Sequence, residues 1–465
     1  MPAPAISKGS DHFFNVTYGG NGGGQRVGKF VPFTDNGTIA KSCIFNSADS
    51  PGLSHTLSGD GNKKKFTISF WVKRGKLTGG YEALVVGGGT GGGTASAGVF
   101  FNGSNQIYTY FFGAEAITTN RTFEDTTKFY HVVVRVDSTL STADDRVRMY
   151  VDGDQITSFA TRNNPSQDAD ETLFNVSGKN IDIGRHTTST NYLDGYMAEV
   201  NLADGQSYGP DTFGITDTST GRWIPKSLSG ITYGTNGFRM EFANSAGQTI
   251  GDDTSGQGND KTVVNIATTD LTTDSPTQNF ATGFHEQSDN GTITRAEGNL
   301  YAVQGNNTSK MGTMRSTLTL DPNDPNLYYC EYHVGQEHGG NGTIVGISDV
   351  KADGVRMNSS TLKFGVGSNY MFACDTYVIR ELNGTDVGTG NDATLNPEFT
   401  DGDYIGIAFQ KGRIWIAKNN TWSNSGNPAN GTGYLFEVPN DSLYRFVSGQ
   451  YGPSGGCIRE FNFGQ

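Results

Sequence analysis

Short runs of period two dominate the pattern of apolar and polar positions. Phe66, Ile68, Phe70 and Val72 alternate with Thr67, Ser69, Trp71 and Lys73. Alternation puts the first set on one face of an extended chain and the second on the other, which predicts a half-buried strand. Val147, Met149 and Val151 alternate with Arg148 and Tyr150, and Asp152-Gly153 then supplies a positive-φ turn before Gln155-Ile156-Thr157 runs back. This is the pattern of a β-hairpin. Phe129 to Val136 is apolar on both faces, as expected of a central strand covered on either side. Tyr196 to Leu202 alternates again and closes this first series.

A second series occupies the C-terminal part. Tyr328 to Tyr332, Ile344 to Ile347, Tyr404 to Phe409, Arg413 to Trp422 and Phe461 to Phe463 carry its strand patterns, with a tight turn at Lys411-Gly412. Asn-Gly-Thr recurs at Asn36, Asn290, Asn341, Asn383 and Asn430. Asn and Gly tolerate the positive φ of a tight turn and Thr suits the strand that follows, so these are read as turns rather than glycosylation sites. The division predicted is an N-terminal segment at 1–44, a first sandwich at 45–207, a connector rich in Gly, Asp and Thr at 208–284, and a second sandwich at 285–465. The fold class expected is all-β, two tandem antiparallel β-sandwiches.

Composition agrees with this reading. The chain has 465 residues, 65 of them glycine, and only 17% are charged, so the strong helix formers Lys and Glu are scarce. A net charge of −13 argues against binding a nucleic acid backbone, which needs clustered cations. Lys63-Lys64-Lys65 is the nearest approach to a cluster and reads as solvated strand-end lysines. No run approaches a membrane span, so no membrane insertion is expected, and the first residues lack the regions of a signal peptide, which predicts synthesis in a cytoplasm-like compartment. Cys43, Cys330, Cys374 and Cys457 are far apart and read as small buried hydrophobes.

Candidate chemistry is sparse. Paired carboxylates for glycoside cleavage are not seen: Asp182 is a single acid on its strand and Glu199 has no acidic partner two residues on. No catalytic residue is assigned and no enzyme is expected. Glu331 and His333 share a strand face near Glu337 and His338, without an obvious third metal ligand. Asp252, Asp253 and Asp260 lie in a glycine-rich loop read as a structural turn, with calcium as the alternative; no cofactor is otherwise expected. The Gly19 to Gly24 run lacks the ending of a phosphate-binding loop and reads as a flexible joint. After it, Phe30, Val31 and Phe33 form an apolar piece too short to make a core, so it must pack on a neighbour.

Three resemblances sharpen the picture. Phe66 to Lys73, Phe129 to Val136, Val147 to Gly153, Ile181 to Gly184 and Leu193 to Val200 together resemble the laminin-G-like or concanavalin-A-like jelly roll, with Tyr130 where tryptophan is common. The strand Gly402 to Phe409 paired with Arg413 to Trp422 resembles a SPRY-like domain over roughly residues 285–465. In the connector, Asp204-Gly205-Gln206, Phe213-Gly214, Gly221 to Lys226, Tyr233 to Phe238 and Ser255 to Asp260 look like a block found in virion proteins of marine tailed bacteriophages, as does the opening Gln25 to Asp35.

The resemblances imply a virion protein made in the cytoplasm of an infected bacterium. Arg26, Phe30, Val31 and Phe33 are then expected to attach it to other virion proteins. SPRY-like domains bind through loops at one edge, here Trp422 to Tyr434 and Gln450 to Pro453. Trp422, Tyr434 and Tyr451 become the expected contacts to a host surface glycan or protein, the alternative being that Trp422 packs under its own loop. A fibre or receptor-binding protein is the reading placed first, a purely structural decoration protein second and a polysaccharide-degrading enzyme last. A homo-oligomer is compatible with any of them.

Overall fold

The computed structural model describes residues 37–463 apart from 78, 89–95, 187–190, 219–220, 244–247, 286–292, 305–311, 337–342, 351–368, 374–377, 381–385, 390–400 and 451–456. Its described secondary structure is strands and short 3-10 turns, and the strand pairs among the described residues are antiparallel. The described residues fall into two compact units, 37–279 and 280–463.

In the first unit two sheets face each other across an apolar core. One sheet runs in the order Asp154–Gln155, Val147–Val151, Tyr130–Asp137, Lys65–Arg74, Gly195–Asp204, Ser42–Phe45, Leu271–Thr272. The other runs Phe159–Arg162, Ala114–Thr122, Gln106–Phe111, Ser96–Phe101, Glu82–Gly88, Asn180–Ile183, Gly52–Thr56, Thr262–Val264. Phe66, Ile68, Phe70 and Val72 meet Tyr130, Val132 and Val134 in the core, on the face that alternation assigns them. The Val147–Val151 hairpin turns at Asp152 (φ 53°) and Gly153 (φ 87°).

The strand Lys65–Arg74 is not half-buried as its alternation predicts; every residue after Lys65 is buried. The reason is that the segment read as a connector lies over the sheet's outer face and adds strands to both sheets. Phe238–Met240 pairs with Val200 to Leu202, Thr262–Val264 with Gly52 to Ser54, and Leu271–Thr272 with Ser42 and Cys43. Trp71, on the outer face, is stacked on His131 (centroids 4.5 Å apart), and His131 on Trp223 of the connector (5.9 Å). The Trp223 ring fits because Gly153 and Gly214 flank it: a Cβ on either would come within 2.4 to 2.5 Å of ring atoms. The polar alternates are paired rather than hydrated. Lys73 Nζ donates to Asp274 Oδ2 (2.6 Å) and Asn279 Oδ1 (2.9 Å), and Thr67 Oγ1 donates to the Gln206 carbonyl (2.8 Å).

The sandwich also starts earlier than residue 45. Ser42–Phe45 is a strand of the first sheet, and Ile39 is buried, its N–H donating to Thr277 Oγ1 (2.9 Å) and its carbonyl accepting from Ser275 Oγ (2.6 Å). Residues 39–44 therefore belong to the sandwich rather than to the N-terminal segment.

The second unit is again two antiparallel sheets. One holds Gly283–His285, Gly312–Ser316, Tyr444–Gln450, Thr343–Asp349, Asn369–Ala373, Val378–Arg380 and Asp386–Thr389; the other holds Ile293–Ala296, Tyr301–Gln304, Cys457–Asn462, Tyr328–Gln336, Tyr404–Gln410, Arg413–Lys418 and Thr421–Trp422 in that order. Tyr332, Ile347, Ile405, Ile407, Phe409, Ile414, Ile416 and Phe446 fill the space between them. Two-residue turns set the register of the last three strands: Lys411 (φ 50°) with Gly412 (φ 76°), and Asn419 (φ 48°) with Asn420 (φ 65°). Consecutive left-handed residues match strand twist in a tight hairpin, which is why Gly and Asn stand there.

Candidate functional site

The hairpin Tyr404–Gln410 and Arg413–Lys418 turns its isoleucines and Phe409 into the core, so Ala408 and Trp415 point out of the sandwich. Trp415 is nevertheless only 1% exposed. The loop from Trp422 to Tyr434 folds back over it: the indole N–H donates to the Thr432 carbonyl (2.7 Å) and Tyr434 meets the ring edge-on at 6.1 Å. Glycine makes this possible, since a Cβ at Gly433 (φ 64°) would lie 2.7 Å from the Asn424 carbonyl oxygen and from Gly426 Cα. The Arg413 guanidinium sits over Tyr434 (4.8 Å), and Trp422 meets Tyr329 edge-on at 6.2 Å.

Trp422 and Tyr434 are thus brought into one cluster, each half-buried against the ring it covers. Around them Asn424, Ser425, Asn427, Asn430 and Thr432 are exposed, giving aromatic edges beside amide and hydroxyl groups. The third residue of the expected set, Tyr451, lies outside the described residues, as do Arg26, Phe30, Val31 and Phe33 of the expected attachment segment.

The same sheet face continues away from the loop. Strand register places His333 between Tyr404 and Glu460, and Glu331 between Gly406 and Asn462. His333 Nδ1 donates to Glu460 Oε2 (2.9 Å), and the imidazole is stacked on Tyr404 (4.6 Å, 25°). Glu331 accepts from the Tyr329 hydroxyl (2.6 Å) and from Asn462 Nδ2 (3.1 Å). Alternation does put Glu331 and His333 on one face, but what stands beside them is a tyrosine ring, a carboxylate and an amide. Glu337 and His338 lie outside the described residues, and among the described residues no group of three His, Cys, Asp or Glu is placed to hold a metal ion.

The aspartates of the glycine-rich loop serve its backbone. Asp253 accepts from the N–H groups of Arg239, Ser255 and Asn259, Asp260 from the Asp253 N–H, and Asp252 from the Thr249 N–H. This is the structural turn, its carboxylates engaged by donors of the loop itself. The loop closes on Lys261, which is buried with Nζ 3.8 Å from the Phe238 ring centroid; desolvation lowers its pKa from 10.5 to about 7. Two other acids that sequence reading weighed for catalysis are also engaged: Asp182 accepts from Ser54 Oγ (2.5 Å), and Glu199, at a bulge with φ 49°, is held by Arg239 at 2.5 and 3.2 Å. Burial raises the Glu199 pKa, and Arg239 opposes that shift. Cys43 and Cys330 are buried free thiols whose pKa burial raises, and neither has the environment of a nucleophile.

With this geometry in place, comparison with known proteins finds a family match within the first unit. Residues 48–206 match the family model described as Concanavalin A-like lectin/glucanases superfamily. No curated protein matches the chain. Among solved structures the chain is similar to the SPRY domain of human HERC1 at 14% identity, covering 35% of this chain and 87% of that one, with a TM-score of 0.25. It is also similar to mouse laminin alpha1 chain domains LG4-5 (12% identity, 92% and 90% covered, TM-score 0.30). A SAP-like pentraxin from Limulus polyphemus is a third (11% identity, 36% and 77% covered, TM-score 0.26). The chain is an all-β protein with a laminin G-like, concanavalin A-like sandwich.

Sequence reading did not find Tyr404, Glu460 or Asn462. Tyr404 stands just after the Asp401-Gly402 turn and opposite His333, a pairing that becomes visible only once residues 71 positions apart are in register.

Proposed function

We propose that the chain is a non-enzymatic glycan-binding protein of a bacteriophage particle surface, acting in host attachment. The observation that carries the binding part is the loop cluster of the second unit: half-buried Trp422 and Tyr434 edges beside exposed Asn424, Asn427, Asn430 and Thr432. Sugar rings stack their C–H faces on aromatics and exchange hydrogen bonds through their hydroxyl rims, and this loop offers both kinds of contact. The match of residues 48–206 to a superfamily named for lectins and glucanases supports the saccharide part of this reading. The particle assignment rests on the sequence likeness of the connector block and of Gln25 to Asp35. Its test is a glycan array probed with the full chain, together with adsorption of the chain to host cells. Binding that competes with free saccharide supports the reading, and none at millimolar saccharide removes it.

A second reading is a structural decoration protein. It is favoured by one observation, that Trp415, Trp422, Tyr434 and Tyr329 cover one another and so have a packing role of their own.

A further inference from the structure

Beyond the loop, the outer face of the sheet itself carries a pre-arranged surface. Tyr404 is 52% exposed although it belongs to a central strand pair. One face of its ring is packed on His333, which Glu460 holds in place at 2.9 Å. The ring is therefore fixed before any ligand arrives, and little side-chain entropy remains to be lost on binding. Its neighbours in register are Glu460 beyond His333, and Glu331 with Asn462 one row further along the strands. Gly406 and Ala417 stand between Glu331 and Trp422 in that second row, and the Tyr329 ring lies over Gly406, where an added Cβ would come 2.7 Å from the Tyr329 hydroxyl oxygen.

Among the described residues Glu331 and Glu460 contribute two carboxylates here, and the nearby cation Lys418 is held by Asp403 at 2.7 Å. Carboxylate oxygens accept more than one hydrogen bond, so Glu331 and Glu460 retain acceptor capacity for hydroxyl donors beside their present partners. An anionic group brought against them would meet like charge, at half-buried Glu331 and exposed Glu460.

We infer that the Tyr404 face of this sheet binds an uncharged saccharide, the ring stacking on Tyr404 and its hydroxyls donating to Glu331 and Glu460, in preference to sugars carrying carboxylate, sulfate or phosphate. The inference rests on the glycan-binding reading above and narrows it in place and in ligand class. Trp422 stands at the far end of the same row, beyond the Tyr329 ring.

The test uses the full chain on an array of neutral saccharides and their acidic counterparts. It compares the wild type with Tyr404→Ala, Tyr404→Phe, Glu460→Gln and Trp422→Ala, each checked by circular dichroism to be folded at the assay temperature. Neutral saccharides should be bound, with affinity roughly tenfold weaker in Tyr404→Ala, the size of a stacking contact, and near wild type in Tyr404→Phe. Glu460→Gln should narrow the preference for neutral over acidic sugars. If Tyr404→Ala fails to fold, Tyr404→Phe and Glu460→Gln carry the test, and an unchanged preference in Glu460→Gln then counts against the site. Wild-type affinity in folded Tyr404→Ala, with loss in Trp422→Ala, places binding in the loop and overturns this inference while leaving the reading above intact. Hits confined to acidic sugars overturn it as well, and absence of any saccharide binding removes both.

Discussion

The indole N–H of Trp223 donates to Nδ1 of His131 across 2.9 Å, joining the segment after the jelly roll to the outer face of its sheet. With Nδ1 accepting, Nε2 carries the proton of the neutral imidazole and donates to Ser69 Oγ at 2.9 Å. Burial lowers the His131 pKa from 6.5 to about 3. The folded state therefore resists protonation that the unfolded chain accepts. This contribution to stability is complete above pH 6.5 and is lost as pH falls toward 3, by at most about 1.4 kcal/mol per pH unit. Urea unfolding of His131→Phe at pH 7 and pH 4.5 should show lower stability than wild type at pH 7 but a smaller loss on acidification. An equal loss in both proteins would show that His131 does not titrate in this way.

Lys73 and Asp274 form an ion pair at 2.6 Å with both side chains fully buried. Lys73→Met leaves the Asp274 carboxylate without its counter-charge in a dry site, an expected loss of about 3–5 kcal/mol. The double change Lys73→Met with Asp274→Leu removes both charges and should recover much of that loss. Chemical denaturation of the three proteins measures the coupling, and a double variant no better than the single one would mean that the pair is not the reason.

Lys261 predicts a pH dependence in the alkaline range. Its folded pKa near 7 lies below the ordinary 10.5, so the unfolded chain holds the extra proton between these values. Stability should rise as pH goes from 7 to 10.5 and be least where the folded amine is charged. Lys261→Met, which keeps an apolar stem over Phe238, should be more stable than wild type at pH 7, on the order of 1 kcal/mol or more. The advantage should shrink toward pH 10. Thermal melts across that range check the sign.

What could be read from sequence was set by the range of the interaction. Ile405, Ile407 and Phe409, then Lys411-Gly412, then Ile414 and Ile416 form a core face and a turn within a dozen residues, and local alternation contains all of it. Alternation also says that Ser69, Trp71 and Lys73 share the other face, but not what covers them. Their partners are His131, Trp223 and Asp274, as far as 201 residues away in the chain. A polar alternate therefore reads as solvent-facing until its cover is known. The same limit hid the pairing of His333 with Glu460, separated by 127 residues.

Ile39 and the Ser42–Phe45 strand fix where an attachment segment can be cut. Deleting residues 1–34 leaves the Ile39 bonds to Ser275 and Thr277 and the pairing of Cys43 with Met197 intact. That truncation should stay folded and, if the removed piece attaches the chain to a particle, should fail to join particles. Deleting residues 1–44 removes most of a strand and uncovers Trp71 and Tyr196 of the outer cluster. It should unfold the first unit or drive it to aggregate. Circular dichroism melts with particle co-sedimentation separate the cases, and incorporation of the shorter truncation at the normal level would reject the attachment role.

Trp422 and Tyr434 distinguish a binding loop from a packed one, because the two roles predict different costs. Trp422 lies against Tyr329, and Tyr434 against Trp415 and Arg413, so replacing either by alanine removes partly buried aromatic area and should cost about 1–3 kcal/mol of stability. That cost is expected on either reading and decides nothing by itself. Exposed Asn430 has no such packing role, and its replacement by alanine should leave the melt within about 0.5 kcal/mol of wild type. Its amide is nevertheless among the groups a bound sugar would use. Host-cell adsorption should therefore fall in the Asn430→Ala protein while its thermal melt stays in place. Unchanged adsorption there, together with unchanged adsorption in folded Trp422→Ala, would take the loop out of recognition and give the decoration reading the greater weight.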